Sequence, residues 1–233
     1  MCLLCAKLFE ARVLRPAIPP LEIKTVLCIN EICMTEHLLS KIKGENTDIL
    51  HAFERQTWAQ NLLSDLMQHN LTTFNHSLRV GVLSFNASRF LHLSYIDVEE
   101  LTLAGFVHDI GKLFVPCKIL DAGILDFEQK ERSFKAHADR GRKIVEPYNH
   151  NVAEIISGHH SQATESTTKE PSDPLLKFKQ HIISIADQVD SLISPRPYKK
   201  SWNPNDTQAH LTETFENSEL IGFMVRTRMQ MAA

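Results

Sequence analysis

Apolar residues recur along most of the chain three and four positions apart, which is the spacing of an amphipathic helix. The clearest run extends from Leu175 to Ile193, and Pro195 follows its end. The same spacing predicts helices over 21–43, 48–70, 72–93, 98–110, 126–145 and 150–160, and one or two final helices within 206–231. A polar stretch over 161–173 predicts a loop. With no hairpin pattern, the sequence predicts an all-α bundle of roughly seven to nine helices.

Two helix boundaries carry specific local signals. Asp97, followed three residues later by Glu100, has the form of a capping box and predicts the start of a helix. Gly111 follows the apolar run of that helix and predicts its end, with Pro116 as the chain turns away. Asp126 is a second predicted helix cap.

Composition narrows the class of protein. The chain has 233 residues, of which 43% are hydrophobic and only 8 are glycine, so one sizeable helical core is expected. The net charge of −3 gives no reason to expect a nucleic-acid polymer as partner. No apolar run approaches the roughly 20 residues of a membrane span, and five cysteines in mostly apolar surroundings suit a reducing compartment. The sequence therefore predicts a cytoplasmic protein with no membrane partner.

The 12 histidines are about twice the usual number, and several lie at or near predicted helix ends. Asp187 lies within an aliphatic run, where an ionised carboxylate must be paired or bound to a metal. Imidazole and carboxylate groups from facing helices are the ligands of a metal site in a bundle core. A single such histidine is usually a cap or surface residue, so the interpretation depends on the whole ordered set. That set is His76, His108, Asp109, His137, His159, His160 and Asp187.

The order of these residues resembles a known signature. His76, then His108-Asp109, then Asp187 resembles the four-ligand signature of the HD superfamily of metal-dependent phosphohydrolases. The added His137 and the pair His159-His160 resemble the HD-GYP branch, whose bacterial members hydrolyse the second messenger cyclic di-GMP. The surrounding sequences HDIGK at 108–112, DQVD at 187–190 and RPY at 196–198 resemble that branch too. The similarity covers about residues 70–230.

The resemblance implies a function and a division of the chain. Residues 1–70 would form an N-terminal arm and helical segment, and residues 71–233 an HD-GYP-like phosphohydrolase domain. The implied activity is hydrolysis of cyclic di-GMP to the linear dinucleotide, GMP or both, by a hydroxide that bridges two divalent metal ions, iron or manganese.

The resemblance also assigns roles to residues. Asp109 would bridge the two metals; His76, His108 and Asp187 would complete one metal site, and His137, His159 and His160 the other. Asp109 and Lys112 would be the catalytic residues. Lys112, Arg196 and Lys199 would bind the substrate.

Two departures from the family pattern keep other hypotheses open. The Gly-Tyr-Pro loop that normally follows the histidine pair is absent, and Thr72 stands where many members have a metal-binding glutamate, which favours two metals over three. One alternative is a catalytically weak or inactive metal-containing signalling module that binds a cyclic dinucleotide, a protein partner or a second copy of the chain. Another is an HD phosphohydrolase that acts on a different nucleotide or phosphodiester.

Overall fold

The computed structural model describes residues 53, 55–121, 127–160, 172–195 and 200–232. Within these ranges the chain forms nine α-helices, one 3-10 turn at Ile110–Phe114, and no strand, so the all-α prediction is confirmed. The helices are α1 (Thr57–His69), α2 (Leu71–Phe90), α3 (Tyr95–Val107), α4 (Cys117–Asp121), α5 (Phe127–Val145), α6 (His150–Ser157), α7 (Pro174–Ile193), α8 (Pro204–Thr214) and α9 (Ser218–Ala232). None of these helices combines the length and the apolar character needed to cross a membrane.

Both ends of helix α3 differ from the predicted ones. Its N-cap is Ser94, whose hydroxyl accepts a hydrogen bond from the backbone N–H of Asp97, so the prediction that Asp97 caps the helix was wrong. The serine reaches the third backbone N–H of the helix, which leaves Asp97 inside the first turn. The helix also ends at Val107, before the predicted Ile110.

Gly111 has a different role from the predicted helix stop. It lies inside the 3-10 turn, where the turn packs directly on α5. A Cβ at this position would overlap the carbonyl oxygen of His137 and lie 2.8 Å from the backbone nitrogen of Gly141. Glycine is therefore required here for a close approach between two backbones, and this contact sets the distance between the segment after α3 and α5.

Helix α2 lies at the centre of the bundle and packs against α3, α7 and α9. Of its predicted inward residues, Phe74, Leu78, Val82 and Phe85 are buried, whereas Leu91 lies just after the end of the helix and is only partly buried. At the crossing with α3, a Cβ on Gly105 would lie 2.8 Å from the Cα of Gly81, and so the two helices approach closely. Burial of this apolar surface, at about 25 cal/mol per Å², is the main stabilisation of the bundle.

The described end of the predicted N-terminal segment packs into the same core. Leu63 and Leu66 of α1 are fully buried and belong to the cluster formed by α2 and α3. The remainder of that segment lies outside the described residues, as do the predicted cap Asp126 and residues 161–171 of the predicted loop.

A buried cation ties three helices together beside this core. The Lys179 ammonium on α7 lies 2.5 Å from Asp97 Oδ1 and 2.6 Å from Glu100 Oε2 on α3, and Asn151 of α6 donates to the other oxygen of Glu100. Burial lowers the pKa of Lys179, but the two carboxylates outweigh burial and raise that pKa above its usual value of 10.5. The lysine in turn lowers the pKa of Asp97. This network stabilises the packing of α3 on α6 and α7.

Candidate metal centre

All seven side chains predicted as metal ligands converge on one site, although they come from five separate segments. Helices α2, α5 and α7 supply one residue each, and the other four lie beyond the ends of α3 and α6. The residues are His76 on α2, His108 and Asp109 after α3, His137 on α5, His159 and His160 after α6, and Asp187 on α7. What each residue does there remains a prediction.

The early end of α3 explains how two adjacent residues reach one site. Consecutive residues of an α-helix point about 100° apart, so His108 and Asp109 would diverge in a continuous helix. Instead the helix stops at Val107, and Asp109 adopts φ −95° and ψ 7° as it leads into the 3-10 turn. Both side chains then face the same interior.

Two groups of these ligand atoms share no residue and are called the two clusters below, and a third group, formed by His108, Asp109 and His159, joins them. In the first, one ligand atom from each of His76, His108 and Asp187 lies within 4.8 Å of the others. The second cluster, within the same limit, consists of His137, His159 and His160. Imidazole nitrogens and carboxylate oxygens at such separations form a donor set for a divalent transition metal.

Asp109 lies between the two clusters and offers one oxygen to each. Its Oδ1 is 3.3 Å from His137 Nε2 in the second cluster. The other oxygen, Oδ2, is 3.5 Å from His108 Nε2 and 3.7 Å from His76 Nε2 in the first. A carboxylate so placed can ligate two metal ions at once.

The histidine tautomers also fit metal ligation. Each of the Nδ1 atoms of His108 and His159 lies against a backbone carbonyl, at 2.9 Å from Gly105 and 2.5 Å from Ile156. Because a carbonyl only accepts, Nδ1 carries the proton and the lone pair is on Nε2. The Nε2 of His108 is fully buried and has no hydrogen-bond partner among the described residues. A buried lone pair that points into a cluster of ligands is explained by a bound cation.

The pKa values keep most of these histidines neutral at pH 7, as metal binding requires. Burial lowers the pKa of His108, and burial together with the Lys112 charge lowers that of His137 to about 3. The pKa of His159 falls well below its usual value, first through burial and then through His160 and His137. The Nε2 atoms of His137 and His159 lie 3.2 Å apart, a separation at which both lone pairs can face one cation.

His76 differs because carboxylates surround it. Burial lowers its pKa, but Asp187 and Asp190 outweigh burial and raise the pKa to about 9. Its Nε2 lies 3.0 Å from Asp187 Oδ1, and its Nδ1 lies 2.7 Å from Asp190 Oδ2. The sequence prediction missed Asp190 as a functional partner, although its position three residues after Asp187, on nearly the same helix face, was a usable signal.

Of the three predicted substrate-binding cations, Lys112 lies at the site. Its Nζ is 2.5 Å from Asp109 Oδ2. Burial raises the pKa of Asp109, but the Lys112 charge and the neighbouring histidines outweigh burial and hold that pKa well below its usual value. Arg196 and Lys199 lie outside the described residues.

The sequence is similar to proteins of known activity. It matches the HD domain family over residues 73–192, slightly more than half of the chain. A cyclic di-GMP phosphodiesterase of Thermotoga maritima is 34% identical over 148 residues, which are 60% of this chain and 39% of that protein. A cyclic di-GMP phosphodiesterase of Pseudomonas aeruginosa is 27% identical over 145 residues, 60% of this chain and 35% of that protein. The 3'3'-cGAMP-specific phosphodiesterase 1 of Vibrio cholerae is 25% identical over 181 residues, which are 73% of this chain and 42% of that protein.

This chain therefore spans only 35–42% of the length of those three relatives. Among solved structures, it is similar to the HD domain of the L. monocytogenes phosphodiesterase PgpH, with a TM-score of 0.54 at 17% identity over 73% of this chain and 96% of that one. The same domain in complex with cyclic di-AMP gives a TM-score of 0.53 at 18% identity. At these identities the likeness shows the fold alone. With the family match over half of its length and the same helical fold, the chain belongs to the HD domain family.

Proposed function

We propose that this protein is a metal-dependent phosphodiesterase that hydrolyses cyclic di-GMP, and that it is an HD-GYP-type member without the Gly-Tyr-Pro loop. The observation that carries the proposal is the position of Asp109, which offers one oxygen to each of two clusters of metal-ligating side chains. The activity named for the relatives of Thermotoga maritima and Pseudomonas aeruginosa supports the choice of substrate.

Two divalent ions, iron or manganese, fit this donor set. One would be held by His76, His108 and Asp187, the other by His137, His159 and His160, with Asp109 shared between them. Such a pair of ions neutralises charge on a phosphate and lowers the pKa of water enough to make it a nucleophile at neutral pH.

The exposure of the ligands indicates the side from which a substrate would enter. His108, Asp109, His137 and His159 are at most 2% exposed, whereas the site keeps partial access to solvent at other positions. The partly exposed residues are Lys112, His160 and Asp187. A phosphodiester would therefore approach along the side that carries Lys112.

Lys112 is suited to bind a non-bridging phosphate oxygen. Its ammonium lies 2.5 Å from Asp109 Oδ2 and places a positive charge beside both ligand clusters, where it can attract a phosphate. Arg196 and Lys199 would contact the phosphate or a guanine from the far side of the pocket. Hydrolysis of one P–O bond opens the ring to the linear dinucleotide, and hydrolysis of the second yields GMP.

We also propose the organisation and location that the sequence suggests. Residues 71–233 would form the phosphodiesterase domain, and residues 1–70 an N-terminal segment whose last helix, α1, packs on it. The protein would act in the cytoplasm.

The proposal is tested by turnover of cyclic di-GMP by protein loaded anaerobically with iron or manganese. We expect chromatography to show linear dinucleotide or GMP, and we expect His108→Ala and Asp109→Ala to abolish both products. The matched control is His210→Ala, because His210 is an exposed histidine on α8 and belongs to none of the candidate ligand groups among the described residues. Full metal loading of the wild-type protein without turnover would overturn the enzyme assignment and favour the binding module.

The same assay should include 3'3'-cGAMP as a second candidate substrate. The Vibrio cholerae relative, aligned over 73% of this chain, is named as specific for 3'3'-cGAMP. Cyclic di-GMP, 3'3'-cGAMP and cyclic di-AMP should therefore be compared by kcat/KM. A higher value for 3'3'-cGAMP than for cyclic di-GMP would replace the proposed substrate and keep the reaction.

A further inference from the structure

A buried carboxylate contacts the first ligand cluster from behind, at the ring nitrogen of His76 that points away from the other ligands. Asp190, one turn beyond Asp187 on α7, is completely buried, and its Oδ2 is 2.7 Å from Nδ1 of His76. Because a carboxylate accepts this hydrogen bond, Nδ1 of His76 is the donor and Nε2 points toward Asp187 and Asp109. The position of Asp190 therefore decides which ring nitrogen of His76 faces the site.

Two arginines hold Asp190 in place. Arg79, on α2, donates from Nε to Oδ1 at 2.6 Å and from Nη2 to Oδ2 at 2.9 Å. Arg228, on α9, donates from Nε to Oδ1. Together with the bond to His76, these four hydrogen bonds occupy both oxygens of the carboxylate and leave it one orientation.

A serine links the two arginines to each other. The hydroxyl oxygen of Ser194, directly after α7, accepts from Nη2 of Arg228 at 3.0 Å and from Nη2 of Arg79 at 3.3 Å. Arg228 is only 5% exposed, and its contacts join the last helix to the residues behind His76. A buried guanidinium destabilises a protein unless its donors are hydrogen-bonded, and Asp190 and Ser194 supply those acceptors to Arg228.

We propose that Asp190 and Arg228 are positioning residues for the metal centre. Arg228 fixes the carboxylate of Asp190, and Asp190 fixes the imidazole of His76 with Nε2 toward the site. The inference rests on the proposed function, since it takes His76 to be a metal ligand. Arg228 lies well beyond the match to the HD domain family, which ends at residue 192, so α9 becomes part of the support of the metal site.

The competing explanation is that Arg228 only neutralises a buried charge and stabilises the fold. The two readings differ in which cluster should respond. A positioning role predicts weaker binding of the ion held by the His76 cluster alone, because the imidazole that Asp190 orients, that of His76, belongs to this cluster. General destabilisation would weaken both ions alike.

The test is calorimetric titration of metal-free protein with Mn²⁺, using Arg228→Met, which keeps most of the apolar stem and removes the donors. The matched control is Arg226→Met, an exposed arginine on the same helix. Loss of a residue that orients a ligand typically lowers metal affinity about 10–100-fold. We expect that loss for one of the two ions in Arg228→Met and no change for either ion in Arg226→Met.

Single-cluster backgrounds assign the affected ion. In His137→Ala, which weakens the second cluster, adding Arg228→Met should lower the affinity of the remaining ion. In His76→Ala it should change nothing. Arg228→Lys, which keeps the charge but not the planar donors, should fall between the wild-type protein and Arg228→Met.

A second measurement is independent of metal and activity. In metal-free protein, the proton on Nδ1 of His76 should give an exchange-protected NMR signal, identified by its loss in His76→Ala, and that signal should weaken in Arg228→Met. Unchanged Mn²⁺ affinities with an unchanged signal would overturn the inference and leave the proposed function standing, as would equal weakening of both ions. Absence of Mn²⁺ binding by the wild-type protein would overturn the proposed function and this inference with it.

Discussion

Replacing Gly111 by alanine is expected to destabilise the protein and to weaken its metal centre. The added methyl group would overlap the carbonyl oxygen of His137 and approach the backbone nitrogen of Gly141 to 2.8 Å. Both obstacles are backbone atoms of α5, which cannot rotate away as a side chain can. The 3-10 turn must therefore move away from α5, and this movement separates Asp109 from His137, whose Oδ1 and Nε2 are now 3.3 Å apart.

Overpacking of this kind typically costs about 1–3 kcal/mol. For a chain of this size, each kcal/mol corresponds to about 2–4 °C in melting temperature, so a loss of about 4–8 °C is expected for a cost near 2 kcal/mol. Since two elements of the metal centre move apart, the affinity for Mn²⁺ should fall as well, by about tenfold or more.

Gly141→Ala is the matched control, because it places the same methyl group on the other side of the same contact. Its Cβ would meet no atom closer than 3.5 Å, which is ordinary van der Waals contact. Within helix α5 the change from glycine to alanine is expected to stabilise by about 0.5–1 kcal/mol.

Differential scanning fluorimetry and Mn²⁺ titration of the two variants form the assay. The reasoning would be refuted by a Gly111→Ala variant with wild-type melting temperature and wild-type metal affinity. It would also be refuted if both alanine variants lost the same amount of stability.

Lys179→Met is expected to lower the free energy of unfolding by about 3 kcal/mol, because it leaves Asp97 and Glu100 without their buried cation. The control, Lys143→Met at an exposed position, should change the free energy of unfolding by less than about 0.5 kcal/mol. The ion pair holds the pKa of Asp97 below 3.8, and the two carboxylates, which outweigh burial, hold the pKa of Lys179 above 10.5. The difference in free energy of unfolding between Lys179→Met and the wild-type protein, measured in urea, should therefore stay constant between pH 3.8 and pH 10.5 and shrink outside that range. The absence of any difference at pH 7 would contradict the network. Chelation of the metals is expected to lower the melting temperature, because a ligand at a hundred times its Kd stabilises a folded protein by about 2.7 kcal/mol. Identical melting curves with Mn²⁺ and with EDTA would contradict the metal centre. The Lys112→Met variant is expected to keep the metal content of the wild-type protein, measured by elemental analysis, while its kcat/KM for cyclic di-GMP falls at least about tenfold. Loss of metal would instead show that Lys112 serves to hold Asp109.

Local patterns in the sequence predicted most of the described helices, but the predicted helix at 48–70 is interrupted at residues 55–56 and resumes at Thr57, the one at 150–160 ends at Ser157, and the short helix α4 was not predicted. The predicted helix at 72–93 forms at Leu71–Phe90, and the one at 175–193 forms at Pro174–Ile193, because apolar spacing and end signals act within a few residues. The ends of α3 were wrong because a serine competed with Asp97 for the cap and because the apolar run continues into the 3-10 turn. Apolar spacing alone does not distinguish an α-helix from a short 3-10 continuation.

The sequence by itself determined the helical class and the identity of the seven candidate ligands, since residue types and their order carry both. The family resemblance had implied how those ligands divide between two metals, and the tertiary structure supplied the distances: two clusters of ligand atoms, with one oxygen of Asp109 near each. The tertiary structure also showed what the sequence prediction had not indicated. It alone revealed that Asp190 supports His76 from 114 positions away, and that Arg228 reaches the same carboxylate from the last helix. Helix formation depends on neighbours three and four residues apart, whereas these contacts depend on the packing of helices that are distant in sequence, which local spacing does not encode.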